Sequence, residues 1–325
     1  MRRLSPIRSS IAVLVVVVAE AVTLMTGAGV AASSASQSEH AGFHDRFVRR
    51  GPYRIHVRER QGEGPAIVLM HGFPDNQHLY DRLVPHLSGR HVVTFDFLGW
   101  GESDKPAKYD YTFANREGDL DAVVTGLGLD RVLLVVHDAS GPAGINWALD
   151  HPQSVAGIVA LNTFYSLLAD APPKPPEAIR LFSDPNYARL TKHFAESPRE
   201  FRWLYDFQVG GFILNKDVRK QFVPLFYRQF EAKPSTLGPF LELNADLNAA
   251  VVANTQRTAE LGTFPAPVRF AFGERDQYLD PDLARGLAAL FGRGEAMLIK
   301  GAGHFPQLDA PKDTATAILT APTTG

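Results

Sequence analysis

Ten residues, Val132-Leu133-Leu134-Val135-Val136-His137-Asp138-Ala139-Ser140-Gly141, constrain this chain more than any others. The first five are apolar and mostly β-branched, the pattern of a strand buried on both faces. Small residues follow at once, and an apolar helical pattern runs from Gly141 to Leu149. A strand that turns sharply into a helix presents one side chain at the tip of the turn and needs small neighbours where the backbone is crowded. In the G-x-S-x-G version of this turn the tip is serine. Here the tip position falls on Asp138.

With 325 residues, 45% of them apolar, the chain can bury a sizeable core, and its formal charge of −2 comes without a Lys/Arg run that would form a nucleic-acid face. Function is therefore to be sought in a local site. The absence of cysteine excludes a thiol nucleophile, a disulfide framework and cysteine metal sites, but leaves the compartment open. The N-terminus speaks to that. Arg2, Arg3 and Arg8 precede the apolar run Ile11 to Ala19 and a small-residue stretch at Gly29-Val30-Ala31-Ala32-Ser33, the order of a secretory signal. Glu20 interrupts the run and argues against a spanning anchor. Residues 1–35 read as signal peptide and leader. A secreted or periplasmic protein without stable membrane insertion after processing is expected.

Strand and helix patterns then alternate. Phe47 to Arg50 and Tyr53 to Arg60 read as an antiparallel pair, and Ala66 to Met70 as a central strand ending in His71-Gly72-Phe73-Pro74-Asp75. A helical pattern passes through Leu79, Leu83 and Leu87 and stops at Gly89. A strand over His91 to Phe97 leads into Gly99-Trp100-Gly101-Glu102-Ser103-Asp104-Lys105-Pro106. A helix over Asn115 to Leu127, the Asp138 strand and a strand over Val155 to Leu161 follow. This alternation argues for an α/β fold with a mostly parallel, doubly wound sheet. From residue 166 to 262 the strand pattern is lost to prolines, aromatics and helical periodicity, which predicts a helical cap over the carboxyl edge of the sheet. The core thus has two parts, 36–165 and 263–325, the second with strands at Val268 to Phe272 and Ala296 to Lys300 and a helix from Leu283 to Phe291.

Two more polar residues fall at strand ends. Asp276 follows the strand ending at Phe272, and His304 follows the last strand in Gly301-Ala302-Gly303-His304-Phe305-Pro306. Nucleophile, acid, then histidine is the chain order of a strand–turn–helix nucleophile served by a downstream acid and base. Asp276 would orient the imidazole and His304 would act as general base. Singly, each reads as well as a cap, a turn residue or a loop histidine. Their joint occurrence at three strand ends favours catalysis.

These motifs make the chain resemble an α/β-hydrolase, in the branch with an aspartate nucleophile that contains epoxide hydrolases and haloalkane dehalogenases. The resemblance rests on His71-Gly72-Phe73-Pro74, Gly99 to Pro106, His137-Asp138, Gly273 to Asp276 and Gly303-His304-Phe305-Pro306. A carboxylate attacks a saturated carbon by displacement and leaves an alkyl ester, which water activated by His304 then hydrolyses. The backbone N–H groups of Phe73 and Ala139 are the expected oxyanion donors. No metal and no organic cofactor is needed; the partners are a small apolar organic substrate and water.

Epoxide opening needs a proton donor, in this family a cap tyrosine. Tyr227, within Phe226-Tyr227-Arg228, is the leading candidate and Tyr187 a second, with Tyr205 and Tyr165 as competitors. Halide departure usually uses a tryptophan directly after the nucleophile, where this chain has Ala139; Trp203 is a candidate halide contact in the cap. An epoxide hydrolase is the leading expectation and a haloalkane dehalogenase the alternative. A serine-type ester hydrolase using Ser140 and a non-catalytic binding protein on the same fold rank lower. Asn162 stands where some dehalogenases carry their acid, a role an amide cannot fill, so Asp276 is the expected acid.

Overall fold

The computed structural model describes residues 42–168 and 181–324. The leader over 1–35 and the proline-rich start of the cap lie outside them. Eight strands form one sheet: β1 (His44–Arg50), β2 (Tyr53–Arg60), β3 (Glu63–Met70), β4 (Arg90–Phe95), β5 (Val132–Asp138), β6 (Val155–Thr163), β7 (Val268–Gly273) and β8 (Gly294–Ile299). Their spatial order is β1-β2-β4-β3-β5-β6-β7-β8. The pairs β1/β2 and β2/β4 are antiparallel and all the others parallel. Every residue of β5 and β6 is buried, which requires cover on both faces of the sheet and explains their unbroken apolar runs. At the edge, β8 exposes half its length.

Chain order places the site. From β3 the chain winds outward to β4, then crosses back over β3 to β5 and continues the other way. The carboxyl ends of β3 and β5 therefore flank the switch point of the sheet, where a crevice forms. The loop His71 to Asp75 leaves one and Asp138 ends the other.

Helices α1 (Phe113–Gly126) and α2 (Gly141–Asp150) flank β5 in sequence, and α1 starts where the Thr112 side chain accepts the Asn115 N–H. Between β6 and β7 lie α3 (Ala188–Glu196), α4 (Pro198–Phe212), α5 (Lys216–Glu231) and α6 (Leu237–Gln256), followed after β7 by α7 (Pro281–Leu290) and, past β8, α8 (Pro311–Leu319). One expectation is corrected. The stretch through Leu79, Leu83 and Leu87 is two 3₁₀ turns, Gln77–Tyr80 and Val84–Leu87, because Pro85 lacks the N–H a continuous helix needs there. The three leucines are buried nonetheless.

The inserted helices are tied to the loops of the switch point. Gln229 of α5, itself buried, donates to the carbonyls of Pro74 (3.1 Å) and Asp75 (3.2 Å) and accepts from the Gly101 N–H (2.8 Å). The Tyr205 hydroxyl of α4 donates to Pro74 O (3.0 Å), and Thr236 donates to Gly99 O (2.9 Å). The motifs after β3 and β4 thus serve as the seat of the helical insertion.

Candidate active site

Asp138 has φ 48°, a left-handed conformation uncommon for a residue other than glycine. Strain of this kind persists only when the surroundings hold it. Here Thr163 of β6 donates its hydroxyl to Asp138 O (2.5 Å), and Gly141 lets the chain pass: a Cβ there would sit 1.9 Å from that hydroxyl oxygen. Across the crevice Gly72 is equally constrained, since a Cβ would come within 2.7 Å of His137 Nδ1 and 2.8 Å of Asp138 Cβ. The backbone N–H groups of Phe73 and Ala139, on the two sides of this contact, donate to no acceptor among the described residues.

The three residues marked at strand ends come together. His304 Nδ1 lies 2.9 Å from Asp276 Oδ2, and its Nε2 lies 3.6 Å from Asp138 Oδ2. Nδ1–H therefore donates to Asp276 and Nε2 faces the tip of the turn. Burial by itself would strip the proton from His304, but Asp276 and Asp138 outweigh it and push the imidazole up to about 10. Burial also works against the charge of Asp276, yet His304, Asn162 and the Tyr278 N–H together hold its carboxyl below the usual range.

Asn162, whose amide cannot serve as the acid, orients the acid instead. Its Nδ2 donates to Asp276 Oδ2 (2.6 Å) and its Oδ1 accepts the Gly273 N–H (2.9 Å). It too has positive φ, 34°, a conformation asparagine tolerates. Asp276 Oδ1 is fixed by the Tyr278 N–H (2.8 Å). The signal available in the sequence was position: an amide at the end of the strand next to the nucleophile.

Beneath the turn the polar groups are enclosed. The Ser140 hydroxyl has no solvent exposure; it accepts the His137 N–H (2.8 Å) and lies 3.0 Å from Met70 O and 2.8 Å from His137 O. It is locked beneath the strands and serves to close the turn. His137 Nε2 donates to His304 O (2.9 Å), and burial lowers the imidazole's affinity for a second proton, so this histidine pins the backbone of the base as a neutral ring. His71 Nε2 accepts the Phe97 N–H (3.2 Å), which leaves its Nδ1–H toward Gly72 O (3.0 Å) and Asp75 (3.3 Å). Arg116, fully buried between the rings of Phe97 and Trp100, donates to Ala139 O (3.4 Å) and places a cation behind the nucleophile turn.

Two adjoining cavities open over Asp138, sharing Phe73, Asn244 and Tyr278 in their walls. The larger, about 460 Å³, reaches His304 and is walled mainly by aromatic side chains, Phe182, Phe212, Phe240 and Phe305 among them. The smaller, about 270 Å³, touches Asp138 and Ala139. The structure does not bring Tyr227 to this space. Its ring lies under Arg202 and beside Phe230 and Tyr205, and its hydroxyl donates to Pro198 O (3.4 Å). The expectation that Tyr227 serves the leaving group is corrected by this packing within the cap. Tyr187, at the start of α3, lines neither cavity, and the Tyr165 hydroxyl is bonded to Asn146 Oδ1 (2.9 Å). Trp203 stacks on Phe207, away from both cavities.

A family model described as alpha/beta hydrolase fold matches residues 65–311. This chain belongs to that family. It is a hydrolase of the α/β fold, similar to a haloalkane dehalogenase of Mycobacterium marinum, with 27% identity over 82% of this chain and 88% of the relative. A fluoroacetate dehalogenase of a Burkholderia species is 38% identical over 37% of the chain, a match spanning only 41% of that enzyme's length. Among solved structures, that of the epoxide hydrolase CorEH shares the fold with a TM-score of 0.70 and 20% identity, over 86% of this hydrolase and 97% of that chain.

Proposed function

We propose that this hydrolase opens an epoxide at a saturated carbon through an ester on Asp138 and releases a vicinal diol. The observation that carries the reading is one of placement. A carboxylate, held at the tip of the strained turn, lies 3.6 Å from a histidine backed by an acid, under an aromatic cavity, while the nearby serine hydroxyl is sealed away. Asp138 attacks the ring carbon, and the carbon–oxygen bond breaks. Alkylation removes the negative charge of Asp138, one of the two that keep His304 protonated. The imidazole then releases its proton to solvent more readily. As the neutral ring it takes a proton from the water that attacks the ester carbonyl and returns it to the diol oxygen as the ester bond breaks. The oxyanion that forms there is met by the free N–H groups of Phe73 and Ala139.

Epoxide is favoured over halide by the walls. A departing halide is stabilised by N–H donors, usually indoles, and none of the three tryptophans lines either cavity. The amide of Asn244, which stands in both walls, already donates to Phe240 O (2.9 Å), leaving Gln208 as the other amide of the larger cavity. Trp147 donates to Asp121 (3.2 Å), Trp100 packs on Phe73, and Ala139 occupies the position after the nucleophile. The likeness to a haloalkane dehalogenase over most of both chains supports haloalkanes as the second reading. The test is mass spectrometry of His304→Gln protein exposed separately to styrene oxide and n-hexyl bromide. An adduct on Asp138 from the epoxide supports the proposal; an adduct from the bromide alone replaces it with dehalogenation. A folded protein that acylates Ser140 with an activated ester and takes neither probe refutes both.

A further inference from the structure

The opened epoxide oxygen needs a proton, and the packing of the cap removes the tyrosine expected to give it. We infer that Tyr278, on the core loop two residues beyond the acid Asp276, is the catalytic proton donor, its hydroxyl protonating the oxygen released when Asp138 attacks the ring. The inference rests on the aspartyl-ester reading and names the residue that completes its first step.

Three observations converge on it. All nine tyrosines of the sequence fall among the described residues, and Tyr278 alone lines the cavities over the nucleophile, standing in the wall of both. Six others commit their hydroxyls elsewhere, Tyr80, Tyr205 and Tyr227 to the carbonyls of Met70, Pro74 and Pro198, for example. Among the described residues the Tyr278 hydroxyl has no hydrogen-bond partner. Its ring is held, however: the backbone N–H donates to Asp276, and the ring packs 5.2 Å from that of His304 and 5.9 Å from that of Phe212. A partly buried phenol with a fixed ring and an uncommitted hydroxyl, in the wall of both cavities, has a donor to offer to what occupies them.

Electrostatics suit the timing. Burial chiefly, with the charges of Asp138 and Asp276, pushes the Tyr278 hydroxyl well above its ordinary value. It therefore stays protonated through the neutral range. As Asp138 becomes an ester its charge disappears, and the phenol becomes easier to deprotonate at the moment the alkoxide forms. The step balances. The electron pair of the broken C–O bond goes to the ring oxygen, the Tyr278 proton joins it, and the products are a hydroxyalkyl ester and a tyrosinate. Hydrolysis of the ester consumes one water and returns Asp138 as a carboxylic acid, whose proton restores the phenol.

The test uses full-length protein in the His304→Gln background, where ester accumulates, with styrene oxide as probe and rapid-quench mass spectrometry as readout. Tyr278→Phe should slow ester formation by about a hundred- to ten-thousand-fold, the range for loss of a general acid, while Tyr227→Phe changes it less than about threefold. Ester forming equally fast in the Tyr278→Phe protein overturns the inference and leaves the aspartyl-ester reading standing. No ester in His304→Gln itself overturns that reading and the inference with it. Should Tyr278→Phe fail to fold, a ring-fluorinated tyrosine placed at position 278 keeps the shape and strengthens the acid. Ester formation then quickens if the hydroxyl donates, and an unchanged rate refutes the role.

Discussion

Asn162→Ala probes how the site is held. The substitution removes a 2.6 Å bond to the buried Asp276 carboxylate and leaves the Gly273 N–H without its 2.9 Å acceptor. A hydrogen bond to a charged group contributes about 1.5–3 kcal/mol, and a stranded buried donor costs about 1–3 kcal/mol. Alanine at φ 34° adds strain of about 1 kcal/mol that asparagine largely escapes. Since these effects share one site they will not add fully, and a destabilisation of roughly 3–6 kcal/mol is expected, large against a domain stability of about 5–15 kcal/mol. Asn162→Gly relieves the strain and recovers up to about 1 kcal/mol. Urea unfolding by tryptophan fluorescence measures both variants, and m-values confirm that only stability has changed. Hydrolysis of the Asp138 ester should also slow, because Asp276 is less firmly anionic and His304 less firmly oriented. An alanine variant within about 0.5 kcal/mol of wild type would refute the argument that this amide sustains the acid.

Further outcomes follow from the same geometry. Ser140→Ala should keep epoxide turnover within about fivefold of wild type while losing about 1–3 kcal/mol of stability, because the His137 N–H loses its acceptor; loss of activity in a folded variant would revive the serine reading. The folded pKa of His304, about 10, lies above that of a free imidazole, so its stabilising contribution is full below about pH 6.5 and fades as pH rises toward 10. The stability difference between wild type and His304→Gln should therefore shrink over that window by at most about 1.4 kcal/mol per pH unit; a constant difference contradicts the charge assignment. We also propose export, on the Arg-flanked apolar leader of residues 1–35. N-terminal sequencing of protein recovered outside the cytoplasm should begin beyond Ala31, and full-length protein confined to the cytoplasm would refute it.

What could be read from sequence follows from how locally each feature is determined. The strands around Asp138 announce themselves because burial on both faces demands continuous apolar runs, and the sharp turn demands small residues beside it. Asp276 stands shortly after such a strand, β7, and His304 a short loop beyond the edge strand β8, so finding the strands finds them. The 79–87 stretch misled because its leucine spacing is helical while Pro85 forbids the helix. The cap resisted for another reason. Which way Tyr227 points along a long amphipathic helix is decided by Arg202, Phe230 and Tyr205, none of which constrains it in sequence. Tyr278 sits in an irregular loop with no periodicity to mark it, and Asn162 acts through a neighbour more than a hundred positions away.

The central claim is that Asp138 is alkylated and its own oxygen passes to the product. A single turnover of styrene oxide by excess enzyme in heavy-oxygen water measures this directly. The account predicts a first-turnover diol without solvent label and a peptide containing Asp138 that has gained one heavy oxygen. A labelled diol from that first turnover, with Asp138 left unlabelled, would mean that water attacks the substrate itself and would contradict it.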